Sequence, residues 1–232
     1  NLERVGVIFC GYGITAPEYK WDDYKGIDVK GKVVIILVND PPIMNNDEYD
    51  NDMFKGKAMT YYGRWSYKYE EALRRGAAGA IVIHESGPAG YPFSVLQAGH
   101  DLESLTIEAS KSLKFQGWLP LSSAQKLFSM SGLDFSSMKK EALSPDFQPK
   151  NMDIKFTSRI ANTYRYVNSK NVIAKYEGVD SLLKDEYVIY TAHWDHLGMD
   201  KNLKDDKVYN GANDNALGVA MVLATAKSFS QL

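Results

Sequence analysis

The sequence predicts a mixed α/β fold, on three observations. KVVIILVND (32–40) is an unbroken, largely β-branched run of the kind that lies buried on both faces of a sheet. Helical spacing at Tyr69, Ala72 and Leu73 ends at Gly76 and gives way to AGAIVIHE (78–85), a helix-to-strand succession. EYVIYTAH (186–193) repeats the buried-strand pattern ahead of an apolar stretch of helical length.

Taken in order, VGVIFCGYG (5–13) reads as a first strand running into a glycine turn, and 32–40 as a second strand stopped by Pro41 and Pro42. The polar NNDEYDND (45–52) follows as a loop. A helix over 66–75 leads to the strand 78–85, which completes a strand, helix, strand unit. SSAQKLFSMSG (122–132) and FSSMKKEAL (135–143) read as two short helices, the first opening at a serine cap. Pro145 and Pro149 bracket a linker, which places a domain boundary near 149, with domains over 1–148 and 149–232. Beyond it, DIKFTSRIA, NVIAKYEG and EYVIYTAH are three strand candidates, and a helix is expected from about Asp214 to Ser230.

Bulk properties exclude several classes of partner. The 232 residues carry 27 basic and 29 acidic side chains, which leaves no electrostatic footprint for nucleic acid or an anionic membrane. No apolar run reaches membrane-spanning length. The single Cys10 forms no internal disulfide. The chain opens on Asn1 rather than methionine, so a piece of a longer polypeptide is expected.

The chemistry concentrates in TAHWDH (191–196). A strand there delivers His193 to a carboxyl-terminal edge, where ligands collect in open α/β sheets. Asp195, two residues on, is placed to accept a hydrogen bond from the far imidazole nitrogen, which fixes tautomer and raises basicity. In YNGANDNALGVAMVLATA (209–226), Asp214 follows a glycine-bearing turn at a helix start. Imidazole and carboxylate together suit zinc, whereas calcium or magnesium takes mostly oxygen. Each feature alone has a plain alternative, since aspartate at a helix start is usually a cap and His-x-Asp usually a surface hydrogen bond.

Other conspicuous residues read as structural. His196 points away from Asp195 in an extended strand, and His84 and His100 close a strand and sit in a loop. NNDEYDND lacks the spacing and the glycine of a calcium loop. GYG (11–13) has too few glycines for a dinucleotide fingerprint. The aromatics Tyr61, Tyr62, Trp65, Tyr67 and Tyr69 make either a sugar or peptide shelf or, more often, core.

VIYTAHWDHLG followed by YNGANDNALGVAMVL resembles the M28 family of co-catalytic zinc peptidases. In that family a strand ends in His-x-Asp and a Gly-Ala-x-Asp-Asn turn then opens a helix. The resemblance implies that His193 ligates one zinc, that Asp214 bridges two, and that Asp195 is the catalytic aspartate orienting the histidine. GYGI, PEYKWDDYKGIDVKGKVVIILVNDPP, YYGRWSYKYEEALRRGAAGAIVIHE and GWL are similar to the protease-associated domain of bacterial M28 aminopeptidases. The implied architecture is that domain, built of β-strands with flanking helices, followed by the first strands and helix of a zinc-peptidase sheet domain. The implied activity is removal of N-terminal residues from a peptide substrate by a secreted or periplasmic enzyme with two zinc ions.

The family's remaining parts, a Glu-Glu pair, a further Asp and a final His, lie downstream of the Gly-Ala-x-Asp-Asn turn. The residues after Asp214 contain no Asp, Glu or His. The expectation is therefore a catalytic domain cut short, with zinc binding weak or absent, no hydrolysis by this piece alone, and a homodimer through the incomplete segment. Two rivals remain at this point: a non-catalytic receptor or binding protein on the same scaffold, and a glutaminyl cyclase or carboxypeptidase of the same superfamily.

Overall fold

The computed structural model describes residues 1–98, 103, 105–107 and 111–231, in two compact units, Asn1–Thr163 and Tyr164–Leu232. His100 lies outside the described residues.

The strands of the first unit are β1 (Leu2–Phe9), β2 (Thr15–Ala16), β3 (Trp21–Asp22), β4 (Val33–Leu37), β5 (Met44–Asn45), β6 (Glu48–Tyr49), β7 (Gly79–His84), β8 (Phe115–Pro120) and β9 (Lys150–Ser158). Its helices are α1 (Trp65–Arg74), α2 (Ser86–Ala89), α3 (Ser94–Ala98), α4 (Leu121–Met130) and α5 (Phe135–Glu141). Five strands make the main sheet in the order β8-β7-β4-β1-β9. The first four run parallel, and β9 joins β1 antiparallel.

Alternation along the central strands sends their side chains to two cores. Val33, Ile35, Leu37, Ile81 and Ile83 meet Phe128, Phe135 and Met138 of α4 and α5. Val34, Ile36, Ala80 and Val82 meet Tyr69, Ala72 and Leu73 of α1, the face that helical spacing selects. β4 is thus buried on both faces, as an unbroken β-branched run requires.

The strand read over 5–13 begins at Leu2 and stops at Phe9, because Gly11 and Gly13 turn the chain with φ of 51° and 63°. The loop 45–52 folds in part into the β5–β6 ladder around Asn46 and Asp47, both at positive φ as a tight hairpin turn demands. α4 starts one residue early, after Pro120, and has no side-chain cap; it is α5 that is capped, with Asp134 accepting from the Ser137 amide. His84 is buried against Tyr91, Phe93 and Trp118. The aromatic cluster divides: Tyr67 and Tyr69 are buried, while Tyr61 and Trp65 are exposed.

DIKFTSRIA is a strand, as read, but it belongs to the first unit. It falls largely within β9, whose Met152, Ile154 and Phe156 complete the first core and cover β1. The units accordingly divide at 163/164 instead of near 149.

A buried ionic hub joins the loops at the carboxyl ends of β1 and β4. The Lys68 ammonium, fully buried, donates to the carbonyls of Tyr12 at 2.6 Å and Asn39 at 3.0 Å. Asp23, also buried, accepts from the Ile14 amide and the Trp21 indole. Asp40 accepts from the amide and hydroxyl of Thr60.

In the second unit, β10 (Gly198–Met199) and β11 (Val208–Tyr209) form a short antiparallel ladder, and a π-helical turn (Ala212–Ala216) precedes α6 (Leu217–Phe229). NVIAKYEG and EYVIYTAH, read as strands, carry no ladder among the described residues and stand exposed. A strand exists only where a partner takes its backbone groups, and no described residue of this unit pairs with these runs. Asp214 lies inside the turn with non-helical backbone, so it does not cap α6, which begins after Ala216.

Candidate metal centre

The β10–β11 hairpin is what brings the two sequence motifs together. Its register pairs Gly198 with Tyr209. Beyond Tyr209 the chain leaves the ladder and turns at Gly211 into the Ala212–Ala216 turn, which carries Asp214. The His193 and Asp214 side chains meet, with His193 Nε2 3.0 Å from Asp214 Oδ1.

The other ring nitrogen faces Asp195. His193 Nδ1 lies 2.9 Å from the Asp195 main-chain oxygen and 3.4 Å from its carboxylate Oδ1. The sequence reading had the carboxylate as acceptor; the closer contact is the carbonyl. Both ring nitrogens therefore face oxygen acceptors. The Asp195 carbonyl at Nδ1, followed by the Asp214 and Asp195 charges, pushes the His193 pKa above its ordinary 6.5.

This arrangement has a chemical consequence. With a proton on Nδ1, the Nε2 lone pair of a neutral ring would point straight at a carboxylate, which is repulsive. A second proton, or a cation between nitrogen and oxygen, removes the conflict. Zinc bonds imidazole nitrogen and carboxylate oxygen at about 2.0–2.2 Å, so two donors on one ion stand roughly 3.3 Å apart, close to the observed separation. The donor types and spacing fit zinc. The donor count is short, since no group of three or more His, Cys, Asp or Glu that could hold a metal is present among the described residues.

His196 takes no part in the pair; its ring lies edge-on to Tyr209, with centroids 6.3 Å apart. Two features were missed in the sequence. The Asn215 side-chain amide donates to the His193 carbonyl at 3.3 Å. Asp206 accepts from the Val208 amide at 2.9 Å and the Asn210 side chain at 2.8 Å, which organises the chain entering the turn. The polar run 200–206 between the motifs, flanked by Gly198 at positive φ, is the signal that marks the hairpin.

Residues 171–232 match the model of Peptidase family M28, a segment inside the second unit that contains His193, Asp195 and Asp214. No curated protein and no solved structure matches the chain. No helix among the described residues is long and apolar enough to cross a membrane.

Proposed function

We propose that the second unit carries one arm of the zinc site of a peptidase, with His193 and Asp214 as metal ligands and Asp195 as the residue that orients His193. The observation that carries this reading is the His193 ring held between two acceptors, its Nε2 aimed at the Asp214 carboxylate. The M28 match over the same residues supports it. Zinc, when bound, supplies Lewis acidity to a peptide carbonyl. The chain's own residues do the positioning: Asp195 keeps the Nδ1 proton in place so that Nε2 is free to donate its lone pair, and Asp214 supplies negative charge to the same point.

The finer reading is a metallo-aminopeptidase acting on N-terminal peptide bonds, with two zinc ions in the working site and a secreted or periplasmic setting. The first unit is proposed as its protease-associated domain, on the strength of the motifs GYGI, KGKVVIILVNDPP and AAGAIVIHE. The test uses the polypeptide as expressed from its gene, loaded with zinc and assayed for metal content and for hydrolysis of an aminoacyl p-nitroanilide. His193→Ala and Asp214→Ala are each expected to abolish turnover and lower bound zinc while circular dichroism stays unchanged. Full activity in either variant would overturn the assignment.

A further inference from the structure

We infer that Asn215 is a positioning residue for the His193–Asp214 pair, and that Gly211 and Gly218 provide the space in which it acts. The inference rests on the reading of those two residues as ligands. The amide of Asn215 donates to the main-chain oxygen of His193, so it ties the 193–196 segment to the turn without touching either ring nitrogen. The other side of the amide lies against the first turn of α6. A Cβ added at Gly218 would run into the Asn215 Oδ1, Cγ and Nδ2 atoms.

Gly211 closes the same contact from the opposite end. Its φ is +66°, and a Cβ there would stand 2.9 Å from the Asp214 carbonyl and 3.1 Å from the His196 Cβ. The 193–196 segment therefore sits directly on the turn. Burial agrees: across 211–219 Gly211, Asn215, Gly218 and Val219 are half-buried, and the rest are exposed. The backbone at Asp214 and Asn215 leaves helical geometry, with φ, ψ of −122°, 87° and −142°, 34°. The Ala216 amide donates to the Gly211 carbonyl and the Leu217 amide to the Ala212 carbonyl, so main-chain hydrogen bonds bracket Asp214 while its own φ, ψ lie outside the helical region. The Asn215 amide adds the side-chain tie that holds the His193 segment against this turn, where the 3.0 Å separation is found.

The test is nuclear magnetic resonance of the uniformly labelled chain, metal-free and at one fixed pH, reading the Overhauser contact between the His193 ring protons and the Asp214 β protons. Asn215→Ala removes one hydrogen bond, which shifts the paired-to-unpaired ratio by about 2- to 10-fold and weakens the contact accordingly. Gly218→Ala displaces the amide and is expected to weaken the contact similarly. The double variant should be no worse than Asn215→Ala alone, since Gly218 acts through Asn215. The α6 carbon shifts should hold in Asn215→Ala, which separates positioning from general loss of structure. A contact that survives Asn215→Ala, or additive effects in the double variant, overturns the inference and leaves the ligand assignment standing. A contact missing from the unaltered chain overturns both.

Discussion

Replacing Lys68 by methionine tests whether the hub at the carboxyl ends of β1 and β4 holds the first unit together. Methionine keeps most of the aliphatic stem, so the change removes charge more than volume. It strips the Tyr12 and Asn39 carbonyls of their donor and leaves Asp23 and Asp40 without a nearby buried cation. Removing one partner from a buried charged cluster costs about 3–5 kcal/mol, a large part of the roughly 5–15 kcal/mol that holds a domain. The loss should depend on pH. Burial pushes the Asp23 carboxyl up to about 7, so it stabilises the fold on the acid side and loses that contribution as pH rises from its ordinary 3.8 toward 7. Burial pulls the Lys68 ammonium down to about 7, so the native protein regains stability as pH rises from 7 toward 10.5. The variant lacks the second dependence, and without the Lys68 charge that holds it down the Asp23 carboxyl rises further, so the gap between the two proteins should widen from pH 7 to pH 9. Urea unfolding followed by circular dichroism at pH 6, 7.5 and 9 measures it. A loss below about 1 kcal/mol, or a gap that narrows with rising pH, would show that the hub does not depend on Lys68.

Three further outcomes are expected. Asp195→Asn should weaken zinc affinity by about 10-fold, the lower end of the range for orienting residues, because the main-chain carbonyl of residue 195 remains at Nδ1; isothermal calorimetry on the gene product checks this, and an unchanged affinity would remove Asp195 from the site. Gly13→Ala should destabilise the first unit by roughly 2–4 kcal/mol, since φ is +63° and the new Cβ would stand 2.8 Å from Ile36, and a thermal melt reads the change. Val172, Ile173, Val188 and Ile189 are more than three-quarters exposed on runs with unpaired backbone, and at about 1.5–3 kcal/mol per buried side chain their cover matters. We expect a second copy of the chain to supply it. Light scattering with limited proteolysis decides, and a strict monomer whose 164–231 segment resists protease would contradict the expectation.

What was legible in the sequence follows from how locally each feature is determined. β4, β7 and α1 could be read because a β-branched run, a helical stripe and Gly76 each act within a few residues. β9 was legible as a strand but not as part of the first unit, because its alternation fits any half-buried sheet, and only pairing with β1, nearly the whole unit away in sequence, says which one. EYVIYTAH shows the converse limit: apolar pattern records a tendency to be covered, while the ladder that makes a strand depends on a partner the pattern does not name. The site repeats this division. His193 and Asp195 were legible as a pair because two residues of backbone set their separation. Their meeting with Asp214 depends on the hairpin that lies between the two motifs and on the turn after it, neither of which the His-x-Asp spacing names. Asn215 was visible only as the last residue of the Gly-Ala-x-Asp-Asn turn, with no role attached, since a side chain bonded to a main-chain oxygen asks nothing of the residue type it contacts. A second trace is Gly218, three residues on, where any side chain would occupy the space the amide needs.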